Sequence, residues 1–329
     1  MTKPYSASTD LWPSPEVPAD PIFILSPPLS LGAVVASMLG RHAELYSLPE
    51  THLFVAETVG EWFDTCRSSS FDMAHGLLRA IAQLCFGQQS EETVLLARAW
   101  LRRRTTFTTG YILELLAKRA YPRIVIEKSP SIIYHPSSMQ RALRMFPQAR
   151  FIHLLQHPRG HGEAVIKAIK NARKHGPVPQ WLQQLACFSA TSADEYSQEQ
   201  PQIDPQLAWC ELNKAIGQFL EALPESRKLR VRAEDILALP DVALRSIIDW
   251  LGLEADESAV DAMKHPERSP YAGFGPPGAR YGDDAHFLAH PGLPEPAESL
   301  KLDGYLSWTD DGEELSWETK QLAGSYGYE

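Results

Sequence analysis

The chain has 329 residues, of which 44% are hydrophobic, so it can build a sizeable core in one large domain or two small ones. Its net charge of −10 argues against a general nucleic-acid or anionic-membrane surface, although a local basic pocket remains open. The four cysteines form no CxxC pair and no metal-like spacing with histidine, so we expect no metal site.

The first 20 residues are rich in proline and serine, and we expect residues 1–20 to form a flexible N-terminal arm. The arm has no apolar core of signal-peptide length, and no later apolar run reaches about 18 residues. We therefore expect a cytoplasmic protein with no membrane and no nucleic-acid partner. Homodimerisation is left open.

The first predicted elements after the arm are a strand and a helix. Residues 21–26 predict a buried strand, and 31–40 predict the helix that follows it. From 57 to 119 the apolar residues recur with a helical period, as in "AHGLLRAIAQLCFG". We interpret residues 57–119 as a helical insertion.

Three more strands are predicted at 123–131, 149–160 and the start of 228–238, with helical patterns between and after them. Strands that alternate with helices predict βαβ units, and hence an α/β fold with a central parallel sheet flanked by helices. Residues 265–298 are crowded with proline, glycine and aromatic residues, which predicts a lid loop. We expect one domain over 21–329.

Four stretches carry a family resemblance. In chain order they are "SPPLSLGAVVASMLGRHAELYSLPETHLF", "IEKSPSIIYHPSSMQRALRMFPQARFIHLLQHPRGHGEAV", "VRAEDILALPDVALRSIIDWLGL" and "HPERSPYAGFGPPGAR". Together they resemble the PAPS-dependent sulfotransferase family, in its bacterial branch, which includes members that act on polyketide or lipid intermediates. The resemblance implies a fold related to nucleotide kinases. It also implies a donor, 3′-phosphoadenosine 5′-phosphosulfate (PAPS), held at two anionic ends.

The first strand-loop-helix of the family, of the form P-x-R-S-G-[ST]-[ST], holds the 5′-phosphosulfate with backbone N–H groups, hydroxyls and the helix N-terminus. In this sequence Leu29 stands at the position of the arginine, and Ser30 is retained. Leu31 stands at the position of the glycine, and Gly32 and Ala33 replace the hydroxyl pair. Most polar ligands of this loop are therefore missing.

The second donor motif of the family holds the 3′-phosphate with an arginine and a serine. Gln156 stands at the arginine and Ala164 at the serine. The donor-binding residues that the resemblance leaves are Ser30, Gly32 and Arg159. We expect no cofactor, unless other cations rebuild the site for PAPS.

Three residues are the catalytic candidates. Glu50 and His52 lie in "LPETHLF", where the family carries its acid/base residue, and they would share one face of an extended chain. Lys128 follows a predicted strand, at the edge where open α/β sheets bind ligands, and the resemblance places it near the active centre. The alternative is an exposed glutamate, a packed histidine and a surface salt bridge.

The predicted lid supplies candidates for contact with an anionic or carrier-linked substrate. They are His265, Arg268, Tyr271 and Arg280. The alternative is a lid whose aromatic residues only pack.

Three functions remain open. The first is a sulfotransferase-like enzyme of specialised metabolism that has lost PAPS and performs acid/base chemistry, such as cyclisation, elimination or acyl transfer, on a small or carrier-protein-linked substrate. The second is an active PAPS-dependent sulfotransferase that sulfates a substrate hydroxyl, with Glu50 or His52 as the base. The third is a non-catalytic scaffold protein.

Overall fold

The structure is a computed structural model that describes residues 18–69, 71–175, 180–188, 203–295, 300–309 and 312–329. Most of the predicted N-terminal arm lies outside these residues. Five strands are described: β1 (Ile22–Leu25), β2 (Leu45–Ser47), β3 (Ile124–Glu127), β4 (Arg150–Leu155) and β5 (Lys228–Arg232). They form one parallel sheet in the order β2-β3-β1-β4-β5, which confirms the predicted α/β fold class.

Fourteen α-helices are described along these ranges. They are α1 (Gly32–Leu39), α2 (Val59–Ser68), α3 (His75–Phe86), α4 (Glu91–Arg102), α5 (Thr109–Ala120), α6 (Pro136–Met145), α7 (Pro158–His175), α8 (Gln180–Cys187), α9 (Pro205–Glu221), α10 (Ala233–Ala238), α11 (Pro240–Leu251), α12 (Glu257–Met263), α13 (Ala285–Ala289) and α14 (Trp317–Ser325). None of them is both long and apolar enough to cross a bilayer.

Helices cover both faces of the sheet. One core contains Phe23 and Phe151 from the central strands together with residues of α3, α4, α5 and α9. A second contains Ile24 and Ile152, which point to the opposite face, together with residues of α1, α11 and α12. A third, smaller one joins the end of β4 to α9 and α14. Because side chains alternate along a strand, the apolar residues of β1 and β4 serve the cores on both faces of the sheet.

The edge strand β2 was not predicted from the sequence. It is only three residues long, and its partner β3 pairs Leu45 with Ile124 and Ser47 with Ile126. A run this short has no measurable period. Glu50 follows this strand closely, so the strand determines where its side chain lies.

The segment predicted as a lid loop, 265–298, extends into residues that are not described. Its described part packs on the domain and contains α13 and two 3-10 turns. The buried guanidinium of Arg79 holds it by donating to the backbone carbonyls of Tyr271 and Tyr281, at 3.2 and 3.1 Å. Gly282 has a φ of 115° and lies so close to Gly76 that a Cβ would meet its Cα at 2.7 Å. This contact requires glycine at position 282.

Candidate active site

The donor loop, defined as residues 26–33, connects β1 to α1 at the carboxyl edge of the sheet. Leu29 and Leu31 have φ values of 65° and 61°, the left-handed conformation that side chains other than glycine seldom adopt. Leu29 packs against one core and Leu31 against the other. The hydroxyl of Ser30 is buried and has no hydrogen-bond partner. The loop thus presents apolar side chains and one unpaired hydroxyl.

The start of α1 keeps backbone donors for a ligand. Its N-cap residue is Leu31, and no side chain caps the helix. The first N–H groups of a helix have no partner within the helix and attract anions. Ala33 is buried, and a Cβ on Gly32 would meet the Ser26 hydroxyl at 3.0 Å.

The second donor motif lies where β4 leads into α7. The Gln156 side-chain oxygen is buried without a partner, and Ala164 is half-buried. The guanidinium of Arg159 donates to the carbonyls of Gly304 and Tyr305, so it is engaged by the C-terminal segment. His161 bonds the Pro28 carbonyl through Nε2 at 3.1 Å, and burial lowers its pKa to about 4. A neutral histidine therefore connects α7 to the donor loop.

Four ionisable residues form what we call the charge cluster: Glu50, His52, Lys128 and Asp283. Lys128 Nζ lies 3.1 Å from Glu50 Oε1 and also bonds Asp283 Oδ1. His52 Nε2 lies 3.5 Å from Glu50 Oε2. Glu50 follows β2 and Lys128 follows β3, so both are at the carboxyl ends of neighbouring parallel strands, where open α/β sheets bind ligands.

The structure brings the three predicted catalytic residues together, but not on an extended chain. His52 has a φ of 50° and leads into a 3-10 turn. Its backbone N–H donates to Ser129 Oγ at 2.9 Å, and its Nδ1 lies 2.8 Å from Ser131 Oγ. The expectation of one extended face is therefore wrong, because the chain turns at His52 to meet the serines after β3.

Glu127 stabilises the turn at His52 through hydrogen bonds. Its carboxylate is fully buried and accepts hydrogen bonds from Thr51 Oγ1 at 2.9 Å, from the Ser129 N–H at 3.1 Å and from the Ser129 hydroxyl. Burial raises its pKa, and these donors act in the opposite direction. Glu127 thus holds the "LPETHLF" segment against the end of β3.

The charge cluster is buried at one end and accessible at the other. The side chains of Lys128 and Asp283 are 2% and 3% exposed, whereas those of His52 and Glu50 are 15% and 19% exposed. The alternative of a surface salt bridge is therefore wrong for Lys128. A substrate could reach only the Glu50 and His52 end.

The pKa values in the cluster are set by burial and by the shared cation. Burial alone would raise the pKa of Glu50, but the charge of Lys128 and the contact with His52 lower it to about 2. Burial and the charge of Glu50 raise the pKa of Asp283 to about 6, against the attraction of Lys128. Desolvation would lower the pKa of Lys128, but the two carboxylates raise it. Above pH 6 the two carboxylates and Lys128 together carry one excess negative charge.

Of the four candidates from the predicted lid, His265 and Arg268 are neighbours in one 3-10 turn, where both approach Glu267. Tyr271 is buried, and its hydroxyl bonds that of Tyr46 at 2.9 Å. His265 lies 2.9 Å from Glu267, and Arg268 is exposed. Arg280 is exposed and stacks on Phe274 at 5.1 Å. In this arrangement Tyr271 is a packing residue, and the other three face the surface.

The sequence reasoning missed Asp283, which completes the cluster from the predicted lid. Its signal was the pair of acidic residues in "YGDDAHF": Asp284 caps α13, and Asp283 is left to point inward. Among the residues described, no three histidine, cysteine or acidic side chains are placed to hold a metal ion.

Comparisons with known proteins agree with this architecture. A family model described as "Sulfotransferase family" matches residues 21–257. The sulfotransferase domain of the Synechococcus PCC 7002 olefin synthase is 27% identical, with a TM-score of 0.67 over 97% of this chain and 98% of that one. The sulfotransferase domain from the curacin biosynthetic pathway shares the fold at 20% identity, with a TM-score of 0.71 over 94% of this chain and 98% of that one. No curated protein matches significantly. The family match and the parallel sheet confirm the resemblance: the chain belongs to the sulfotransferase family.

Proposed function

We propose that this protein is an enzyme of specialised, polyketide- or lipid-type metabolism that has given up PAPS and performs acid/base chemistry at Glu50 and His52. The observation that carries the proposal is the contrast between two neighbouring sites. The charge cluster is complete and hydrogen-bonded, whereas the donor loop beside it offers two leucines and one unpaired hydroxyl.

The residues of the donor site do not fit a donor with two anionic ends. Of the buried side-chain atoms without partners in the two donor motifs, Ser30 Oγ and Gln156 Oε1 are neutral, His157 Nε2 and His161 Nδ1 belong to imidazoles whose pKa burial lowers to about 4, and only Arg159 Nε belongs to a cation. The other two guanidinium nitrogens of Arg159 donate to Gly304 and Tyr305, and Lys128 contacts two carboxylates. Each hydrogen bond to an ionised group contributes about 1.5–3 kcal/mol, so the loss of several weakens donor binding by about three or more powers of ten.

The histidine can act as the base in one of its two tautomers. The tautomer with a hydrogen on Nε2 donates it to Glu50, lowers the pKa of that carboxyl and has no lone pair at Nε2. In the other tautomer, with a hydrogen on Nδ1, His52 donates to Ser131 Oγ, and the lone pair of Nε2 faces the Glu50 carboxylate across 3.5 Å. Two acceptors then face each other with no proton between them. A substrate proton transferred to Nε2 completes the contact and leaves the cluster neutral. Glu50 stabilises the imidazolium that forms, and Lys128 holds Glu50 in place.

The similar structures support the biosynthetic setting. One is a domain from the curacin biosynthetic pathway and the other a domain of an olefin synthase. We propose that this chain acts in a comparable setting, on a small or carrier-linked substrate.

Calorimetry with 3′-phosphoadenosine 5′-phosphate (PAP), the desulfo product of the donor, tests the first half of the proposal. We expect no saturable heat up to about millimolar PAP, because no charged ligand replaces those that are lost. Saturation at micromolar PAP would overturn the proposal and favour the alternative of a PAPS-dependent sulfotransferase. If variants Glu50→Gln, His52→Asn and Lys128→Met all left the biological product unchanged, the alternative of a scaffold protein would be favoured.

A further inference from the structure

Tyr134 is a buried residue whose hydroxyl has no hydrogen-bond partner. The residue is 6% exposed, and its Oη atom is buried. Buried hydroxyls are normally paired, because an unpaired polar group in the interior is costly. The buried tyrosines Tyr46 and Tyr271 follow this rule by bonding each other at 2.9 Å. An unpaired hydroxyl in the interior therefore calls for an explanation.

The position of Tyr134 connects it to the catalytic candidates. It follows the 3-10 turn Pro130–Ile133, which carries Ser131, the partner of His52 Nδ1. Its ring lies 6.0 Å from that of Phe188, at the end of α8. Burial raises the pKa of Tyr134, and the negative charge of Glu50 raises it further. The phenol therefore stays protonated at any working pH and has an O–H to donate.

We propose that the Tyr134 hydroxyl is the hydrogen-bond donor of this site, and that it holds a substrate oxygen which gains negative charge while Glu50 and His52 remove a proton. This inference rests on the proposed function and extends it by naming a substrate class. The substrate is a carbonyl compound, such as a ketone, ester or thioester, with an acidic hydrogen on the neighbouring carbon.

The proposed step balances without a further reactant. The C–H bond of the substrate breaks, and its proton goes to Nε2 of His52. The electron pair moves into the new C=C bond of an enolate, and the charge settles on the former carbonyl oxygen. Tyr134 donates a hydrogen bond to that oxygen and keeps its own proton. A donor preorganised for developing charge contributes only when the charge forms, so it lowers the barrier to the step.

The test uses a reporter reaction of the same kind, the base-promoted opening of 5-nitro-1,2-benzisoxazole. A base removes the proton on carbon, the N–O bond breaks, and a coloured cyanophenolate forms. We expect the full chain to open the reporter at a rate that falls to background in Glu50→Gln and His52→Asn. In Tyr134→Phe we expect kcat/KM to fall about tenfold or more, as expected for the loss of one hydrogen bond to a charged oxygen.

Thermal melting separates this role from a structural one. Because the hydroxyl of Tyr134 has no partner, Tyr134→Phe should melt at the temperature of the parent or above it. Tyr46→Phe is the matched control: it breaks a buried hydrogen bond, so it should lower the Tm while leaving reporter turnover unchanged.

Each other outcome has a distinct meaning. If turnover needs Glu50 and His52 but is unchanged in Tyr134→Phe, the role of Tyr134 is overturned and the proposed base stands. If Tyr134→Phe melts well below the parent, its hydroxyl is paired and the inference fails. If the parent gives no turnover above background, the proposed base is contradicted and the role of Tyr134 with it.

Discussion

The donor loop and the charge cluster lie at the same carboxyl edge of the sheet, yet they differ in how their polar groups are satisfied. In the charge cluster Lys128 contacts two carboxylates, and Glu127 fixes the turn that positions His52. In the donor loop the Ser30 hydroxyl has no partner, and two leucines adopt a left-handed backbone. Two neighbouring parts of one sheet edge therefore differ: the charged groups are paired, whereas the loop presents leucines and an unpaired hydroxyl.

The largest effect is expected from Lys128→Met. Removing the cation leaves two buried carboxylates without their shared counter-ion, which should cost about 3–5 kcal/mol in the free energy of unfolding. Urea denaturation at pH 7 measures it. Lys214→Ala is the control, since Lys214 forms an exposed ion pair with Glu211 and should cost less than about 1 kcal/mol. Similar losses in the two variants would contradict the account of the cluster.

The pH dependence of stability should show two opposite slopes from this cluster. The pKa of Glu50 falls from 4.5 to about 2 on folding, so its stabilisation is present above pH 4.5 and lost as the pH falls toward 2. The pKa of Asp283 rises from 3.8 to about 6, so its contribution is present below pH 3.8 and lost as the pH rises through 6. Each of the two pKa shifts changes the free energy of unfolding by about 3 kcal/mol in total.

Urea denaturation at a series of pH values between 2 and 8 separates the contributions of Glu50 and Asp283 to stability. The free energy of unfolding of Glu50→Gln should lack the rise that the parent shows between pH 2 and pH 4.5. That of Asp283→Asn should lack the decline that the parent shows as the pH rises toward 6. A profile of Asp283→Asn that runs parallel to the parent between pH 4 and pH 6 would show that Asp283 does not titrate there.

A smaller effect is expected from Glu127→Gln. The new amide brings two donors to a place where Thr51 and Ser129 already donate, so about 2 kcal/mol should be lost. The turn at His52 should loosen as well, and reporter turnover should fall with stability. Unchanged stability would mean that Glu127 does not hold the turn.

The smallest effect is expected in the donor loop itself. Leu31→Gly removes some apolar contact but also relieves a left-handed backbone, which costs a non-glycine residue about 1–2 kcal/mol. The two terms offset, so we expect a change below about 1 kcal/mol in urea denaturation. Leu39→Ala, at the fully buried end of α1, should cost about 2–5 kcal/mol as the comparison. A loss of that size for Leu31→Gly would show that the loop is a packed core element.

The fold was predictable because its signals are local. The apolar runs of β1 and β4 and the helices between the strands appear directly in the sequence, and short parallel strands joined by helices allow few topologies. Glu50, His52 and Lys128 could also be named as candidates from the sequence, because the family resemblance covers the segments in which they lie.

The rest of the site could not be predicted, because it depends on distant segments. Asp283 lies 155 residues from Lys128 along the chain and meets it only in the folded protein. The backbone turn at His52 depends on Ser129 and Ser131, which lie 77 and 79 residues away. Nothing in the sequence marks the Tyr134 hydroxyl as unpaired, since that is a property of its surroundings.

We propose that the donor site no longer binds PAPS because its charged ligands are missing, and restoring those ligands tests this proposal most directly. One variant carries the six family residues, as Leu29→Arg, Leu31→Gly, Gly32→Ser, Ala33→Thr, Gln156→Arg and Ala164→Ser. Calorimetry with PAP should show binding to this variant at least about a thousandfold tighter than to the parent. Equal, tight binding of PAP to both proteins would contradict the account.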